Sequence, residues 1–323
     1  MASSSWQEVA LLNVVGKRYY YFLLSLIIII PGTISLIVNQ LKLGTDFTGG
    51  TEITLQIPQK NANSSIIGVY SKLGKSVDFI QPVLGTTCPS KCQYIVRTKE
   101  LTNKQLNVLK SDVKKQWPGS EGVITVNSVS GTIASTLTEH AIIAVIAAAV
   151  AILLYISFAF RNAPHPFRFG TAAIIAMLHD VLIVLGIFSI LGWLLNVEVD
   201  APFMTAMLTI IGFSVHDTIV IFDRIRENLA RRTGDPFDVI VNHSILQSFV
   251  RSINTSFTVV LTLLAVFLFT GQSIRFFVLA MLIGIISGTY SSIFNASQIL
   301  VVWHNNELAR FFRRGRTEPA RAA

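Results

Sequence analysis

The sequence predicts an all-α membrane bundle of six spans carrying one small α+β domain. Three observations lead there. The chain is 51% hydrophobic and only 14% charged, against about 25% charged in ordinary soluble proteins. Six apolar runs reach the length of about 20 residues needed to cross a bilayer. One polar segment, between the first and second runs, shifts to strand-like alternation. A mean hydropathy of +0.58 agrees with a polytopic membrane protein.

The spans read, in order, 19–38, 139–160, 170–192, 202–222, 253–270 and 275–302. The first follows Lys17 and Arg18, as a signal peptide would. It is too long for an h-region and lacks an A-x-A-like cleavage site, so it reads as an uncleaved anchor. The net charge of +8 raises nucleic acid as a partner, but the basic residues gather beside the apolar runs. The positive-inside rule accounts for that placement, and no nucleic acid is expected.

The same rule sets the orientation. Arg161 and Arg168 lie in 161–169, five arginines lie in 223–251, and Arg310, Arg313, Arg314, Arg316 and Arg321 lie in the tail, so these segments are expected in the cytoplasm. "LNVEVDAP" (195–202) and "TGQS" (270–273) carry no base. The expected layout is a cytoplasmic segment 1–18, a first span 19–38, an extracytoplasmic domain 39–138, a bundle 139–302 and a basic cytoplasmic tail 303–323. The arginines of "FDRIRENLARR" (222–232) are expected to anchor to anionic lipid headgroups of the cell membrane.

Within the outer segment, "TEITLQI" (51–57) alternates as a strand and 62–73 has helical spacing. "SVDFIQPVL" and "QYIVRT" read as a hairpin, 102–117 as a second helix and "GVITVNSV" as a closing strand. That order is β-α-β-β-α-β, a ferredoxin-like split unit. Cys88 and Cys92, in "TCPSKC", fall in the hairpin loop on the oxidising side. A local disulfide is geometrically conceivable there, with two free thiols as the alternative. Two thiols with no nearby His do not complete a zinc site, so no metal is expected.

Ahead of the first strand stands "LGTDFTGGTEITL" (43–55), with Asp46, Phe47, Thr48, Gly49, Gly50 and Thr51 where the first span leaves the bilayer. The glycine pair permits tight turns or close backbone approach. Taken alone, Asp46 reads as an Asx-type turn bonded to nearby backbone N–H groups. The segment lacks the spacing of a phosphate-binding loop, and neither ATP hydrolysis nor a cofactor is indicated.

The intramembrane acids carry the chemistry. Asp217, beside His216 in "GFSVHDTIVIFDRIREN" (212–228), lies in an apolar run. A carboxylate there costs about 2.5 to 3.5 kcal/mol on insertion scales, so it needs a partner or a task. Arg251 opens the fifth span on the same side, and its long stem can reach toward Asp217 as a structural ion pair or as a counter-charge in proton transfer. Asp180, in "AMLHDVLIV" (176–184), sits deeper, as a second relay point or a packing anchor, with His179 expected to point elsewhere on the helix. Ser252, Asn254, Thr255, Ser256 and Thr258 make the start of the fifth span polar, a pattern that suits a hydrated proton path. Gly284, Gly288 and Ser292 recur every four residues as a small-residue packing face.

Together, "GTDFTGGTEI", "GFSVHDTIVIFDRIREN", "RSINTSFTVVLTLLAVFLFTG" and "GIISGTYSSIF" give the chain its family resemblance. From about residue 13 to 312 it resembles the SecF family, protein-export subunits of the bacterial Sec translocase within the SecD/SecF group of the RND superfamily. That resemblance implies an RND-type bundle in the bacterial cell membrane, pairing with SecD beside the SecYEG channel and its associated subunits. It implies use of the proton-motive force to complete export of a translocating preprotein. The matching Asp217 and Arg251 are thereby implicated in proton transport. His216 departs from the family, which more often has Asn there, and adds a second titratable group. A transporter component is expected, not a chemical catalyst.

Two rivals are weaker. An intramembrane aspartyl protease needs two close carboxylates sharing a proton, but Asp217 sits in "SVHD" without a G-x-G-D context, and the depths inferred for Asp180 and Asp217 differ by more than a dyad permits. An RND-type proton-coupled exporter of lipids or small molecules has two six-span halves, and this chain supplies one.

Overall fold

The structure is a computed structural model that describes residues 13–83, 91–161, 163–231 and 234–307. Helix α1 (Arg18–Val38) follows one 3-10 turn and is the first of six helices long and apolar enough to cross a membrane. The polar segment beyond it folds as β1 (Gly50–Ile57), α2 (Asn63–Lys72), β2 (Val77–Pro82), β3 (Cys92–Thr98), α3 (Asn103–Gln116) and β4 (Gly122–Val129). The sheet order is β2-β3-β1-β4 with every neighbour antiparallel. This is the ferredoxin-like arrangement that the alternation of strand and helix periods predicts.

The period of two along β1 and β3 turns Ile53, Leu55, Ile57, Tyr94 and Val96 to one face. There they pack against Ile66, Val69 and Tyr70 of α2 and Leu109 and Val113 of α3. Helix α3 starts where it does because Thr102 and Gln105 form a capping box: the Thr102 hydroxyl accepts from Gln105 N, and the Gln105 side chain accepts from Thr102 N. Two orphan backbone donors are thereby satisfied.

The remaining chain forms α4 (Gly131–Ala159), α5 (Pro166–Leu195), α6 (Ala201–Arg231), α7 (Phe237–Phe269) and α8 (Gln272–Ser291). A π-helical turn, Ser292–Ala296, then leads into α9 (Ser297–His304). Helices α5 and α6 and the α8–α9 span make the buried centre, while α1, α4 and α7 turn most of their apolar surface outward. Leu154, Phe158 and Leu268 on that outer surface are each more than 60% exposed. A continuous apolar exterior of this kind belongs against lipid.

Small residues set how closely the central helices approach. A Cβ on Gly288 would lie 3.1 Å from Ser214 Cβ, and one on Gly284 would collide with Ile210. The glycine face of α8 therefore seats directly on α6, as its four-residue spacing predicts. Gly32 and Gly186 make the same kind of contact between α1 and α5, where a Cβ on Gly32 would lie 2.9 Å from Gly186 Cα.

The segment expected as a loop, 223–251, is instead mostly helical: α6 runs on to Arg231 and α7 begins at Phe237. Hydropathy stops at Asp223 because charges begin there. Those charges pair along the helix, Asp223 with Arg226 at 2.6 Å and Glu227 with Arg231 at 2.8 Å. Pairs spaced three and four residues apart favour continued helix.

Candidate functional site

Helices α5, α6, α7 and α8 meet around a buried set of acids and hydroxyls. Asp180 projects from α5 and is 1% exposed. Its Oδ1 accepts from Ser287 Oγ at 2.6 Å, and its Oδ2 accepts from Ser214 Oγ and Ser291 Oγ, each at 2.6 Å. Ser214 belongs to α6, and Ser287 and Ser291 to α8, so one carboxylate ties three helices together. His179 Nδ1 lies 3.0 Å from Asp180 Oδ1. The expectation that His179 points elsewhere is thus corrected: its ring folds back along α5 to meet its chain neighbour. Three serine hydroxyls donate to this one carboxylate, and the neighbouring imidazole nitrogen lies against it.

The polar track continues from Ser214. Its carbonyl accepts from Thr218 Oγ1 and from Ser292 Oγ, each at 3.0 Å, and the two hydroxyls lie 2.8 Å from each other. Ser292 opens the π-helical turn. Such turns expose backbone groups that a regular helix would use internally, and they often mark functional sites.

Asp217 is held quite differently. It is 5% exposed on α6, three residues and so about 4.5 Å along the axis from Ser214. Ser252 Oγ on α7 donates to its Oδ1 at 2.9 Å. Its Oδ2 is buried with no hydrogen-bond partner among the described residues. Arg251, the neighbour of Ser252, is exposed and closes no ion pair with Asp217 among the described residues. His216 is exposed. One turn further along α7, Ser256 accepts from Thr289 Oγ1 at 2.6 Å. The hydroxyl-rich start of the fifth span thus supplies Ser252 and Ser256 to the buried track. The two aspartates bond to separate partners and share no hydrogen bond, unlike a protease dyad.

At the domain end the Gly-Gly segment clamps α6. The expected local Asx turn at Asp46 is not what forms: Asp46 Oδ2 accepts from Ala201 N at 2.9 Å, across 155 residues. Asp200 Oδ1 accepts from Phe203 N at 3.0 Å. Two carboxylates therefore satisfy the orphan N–H groups at the start of the helix that carries Asp217. Gly44 N donates to Val199 O, and Val199 N to Lys42 O, each at 2.7 Å, adding a backbone bridge. Phe47 packs in the cluster that holds Phe203, and Thr48 Oγ1 donates to Gly44 O at 3.1 Å.

The two glycines are required by geometry. Gly49 has φ +73° and Gly50 φ +126°, a region where side chains are strained. A Cβ on Gly50 would lie 2.7 Å from Thr98 O, and one on Gly49 3.1 Å from Gly131 Cα at the start of α4. Thr51 then ties β1 to its surroundings: its hydroxyl accepts from Leu101 N and lies against Ser128 Oγ, both at 3.0 Å. Arg97 on β3 pairs with Glu52 at 2.6 Å and also with Glu198 in the α5–α6 connection. The sheet domain and the segment leading into it are thus bonded to the middle and the far end of that connection.

Two of these residues are not singled out by sequence reasoning. Ser287 and Ser291 lie one position before the recognised Gly288 and Ser292 stripe, and a second four-residue stripe of hydroxyls is the signal that finds them. Cys92 opens β3 and is buried, while Cys88 lies outside the described residues.

Six spans, a ferredoxin-like domain after the first and acids buried between central helices define an RND-type membrane transport subunit. The family model described as protein export membrane protein SecD/SecF, C-terminal, matches residues 109–306, and the SecD/SecF GG motif matches residues 34–57. The chain belongs to the SecF family. The protein translocase subunit SecF of Thermobaculum terrenum is 47% identical over 320 residues, 97% of this chain and 100% of the relative. Protein translocase subunit SecDF of Bacillus subtilis is 35% identical over 91% of this chain, which spans 38% of it. The crystal structure of SecDF from Thermus thermophilus, a translocon-associated membrane protein, superposes with a TM-score of 0.78 at 31% identity. That match covers 91% of this chain and 39% of the other.

Proposed function

We propose that this chain pairs with a SecD-type subunit beside a SecYEG channel and uses the proton gradient to help complete polypeptide export. Relatives that carry SecD and SecF in one polypeptide support the pairing, since this chain spans only 38% of one of them. In this reading residues 1–18 and 303–323 are cytoplasmic, 39–138 lie outside and 139–302 form the remaining bundle.

The observation that carries the proton step is the contrast between the two acids. Asp180 is saturated by donors, whereas Asp217 has one hydroxyl donor and a buried oxygen without a partner. Asp217 takes up a proton and becomes neutral, and its attraction to Arg251 is lost; releasing the proton restores it. His216, exposed beside it, and Asp180, at the end of the polar track, belong to the same proton pathway. Each proton crossing supplies about 2.3 kcal/mol per 100 mV. Because Asp46 and Asp200 cap the same helix, movement of α6 reaches the sheet domain directly.

The bridge between Cys88 and Cys92 belongs to the same reading, and no described residue carries a free thiol. An RND-type exporter of lipids or small molecules is the rival. Export of a preprotein into vesicles containing Asp217→Asn or Arg251→Met separates them. Gradient stimulation should vanish in the first and weaken in the second, with ATP-driven export and assembly with the SecD-type partner intact. Normal gradient stimulation with Asp217→Asn refutes the proton-carrier role.

A further inference from the structure

A groove on the bilayer-facing side has a different chemistry from the polar track. Phe22, Leu26 and Ile29 of α1 and Ile175 and Leu182 of α5 line a cavity of about 390 Å³ that α9 closes with Ile299. A second cavity of about 410 Å³ shares Phe22, Ile175 and Ile299 with it and continues to Val302 and Trp303. The two cavities adjoin at these three shared residues and lie along the same helices as one apolar groove. Ser25, His179 and Asn295 line it partway along, and its far end lies at Ile29 and Leu182.

The shallow end is charged. The Arg168 guanidinium sits over the Trp303 ring, 5.8 Å from its centroid, and has no acidic partner among the described residues. Lys17, at the start of α1, is exposed at the same end of the bundle. Arg18 beside it is neutralised by Glu307 at 2.5 Å. The distance from Arg168 to Leu182 along α5 is about 21 Å at 1.5 Å per residue. That length covers one leaflet of a hydrocarbon core about 30 Å thick, with the headgroup level at its charged end.

We propose that this groove binds one phospholipid with a net negative headgroup, in the leaflet on the side opposite the sheet domain. An acyl chain lies between α1, α5 and α9, and the phosphate meets Arg168 beside Trp303. A tryptophan at the headgroup level and a guanidinium next to it with no acidic partner among the described residues match the amphipathic boundary that such a lipid presents. Zwitterionic lipid supplies the same chain but no net charge for Arg168.

Trp303 itself reports the occupant. The full chain, with Trp6 and Trp193 replaced by Phe, is placed in phosphatidylcholine vesicles containing an equal fraction of brominated phosphatidylglycerol or brominated phosphatidylcholine. Trp117 belongs to the sheet-domain core, away from the groove. Brominated phosphatidylglycerol should quench Trp303 with about fivefold higher association, about 1 kcal/mol for one basic contact. The preference should disappear in Arg168→Gln, survive in Arg168→Lys, and shrink with added salt in the unsubstituted Arg168 chain. Equal quenching by both lipids, or a preference untouched by Arg168→Gln and by salt, overturns the proposal. Absence of quenching by either lipid also overturns it, because a protein surface then covers the groove. The lipid site depends on membrane embedding alone, so its failure leaves the Asp217 reading standing.

Discussion

The Asp46 carboxylate accepts a hydrogen bond from the backbone N of Ala201 at 2.9 Å, joining the Gly-Gly segment to the first turn of the helix that carries Asp217. The bond lies on the physical path between the sheet domain and the intramembrane acid. Asp46→Ala should lower stability by about 1 kcal/mol, the usual cost of a lost N-cap. It should also reduce gradient-stimulated export while leaving Asp217 and complex assembly in place. Asp46→Asn keeps an acceptor and should retain most of both properties. Export and thermal unfolding measured on the same preparations test the link; full gradient stimulation in Asp46→Ala would break it.

Asp200, the second cap on that helix, gives the chain a pH signature. Burial pushes its carboxyl above the ordinary carboxylate range, and the neighbouring Asp46 charge adds to the effect while the Phe203 N–H opposes it. A folded pKa above the unfolded one means that the folded chain binds a proton first as pH falls. Stability from this group therefore rises as pH drops from the raised value toward the unfolded value of about 3.9. It is lost again as pH climbs through the folded value. Asp200→Asn keeps the bond from Phe203 and removes the titration. Between neutral pH and mildly acidic pH, Tm should rise more in the chain with Asp200 than in Asp200→Asn. Equal shifts in both would place the titration elsewhere.

The parts of this arrangement legible in the sequence are those written in local periodicity or local incongruity. The β-α-β-β-α-β order could be read because period two gives way to helical spacing at each element. Asp217 could be read because a lone acid in an apolar run has few innocuous explanations. The bond from Ala201 to Asp46 could not, since 155 residues separate the partners and either one satisfies an ordinary local motif. The convergence of the three serines on Asp180 was equally hidden: the four-residue spacing of Ser287 and Ser291 marks a helix face, but only the packing of α5, α6 and α8 brings them and Ser214 onto one carboxylate. Hydropathy also ended the fourth span at Asp223, where paired charges in fact carry the helix on.

Orientation can be read by thiol chemistry. In a chain lacking Cys88 and Cys92, a cysteine at the exposed Lys104 in the sheet domain should react with an impermeant reagent added to intact cells. One at the exposed Asp238 should react only after the membrane is opened. The reverse pattern would invert the proposed topology. With the native cysteines present and no other thiol, labelling should appear only after reduction, because a bridge between Cys88 and Cys92 leaves no free sulfur. Immediate labelling would dismiss the bridge.

The two acids should respond oppositely to substitution. Asp180 accepts from Ser214, Ser287 and Ser291 at 2.6 Å each, and Asp180→Ala leaves those hydroxyls and His179 facing a void. Unsatisfied buried donors cost about 1 to 3 kcal/mol each, although Ser291 can fall back on Gly288 O, which it already approaches at 3.1 Å. A loss of about 3 kcal/mol or more is therefore expected, and with it the seating of α8 on α6. Asp217→Asn replaces a carboxylate that has one hydroxyl donor, and the amide oxygen can accept the same bond from Ser252. Its stability should change by less than about 1 kcal/mol even though gradient coupling is abolished. Thermal unfolding of the two variants in detergent, monitored by circular dichroism, separates the roles. If Asp217→Asn unfolds as readily as Asp180→Ala, then Asp217 is itself a packing residue, and its Oδ2, partnerless among the described residues, does not mark proton exchange.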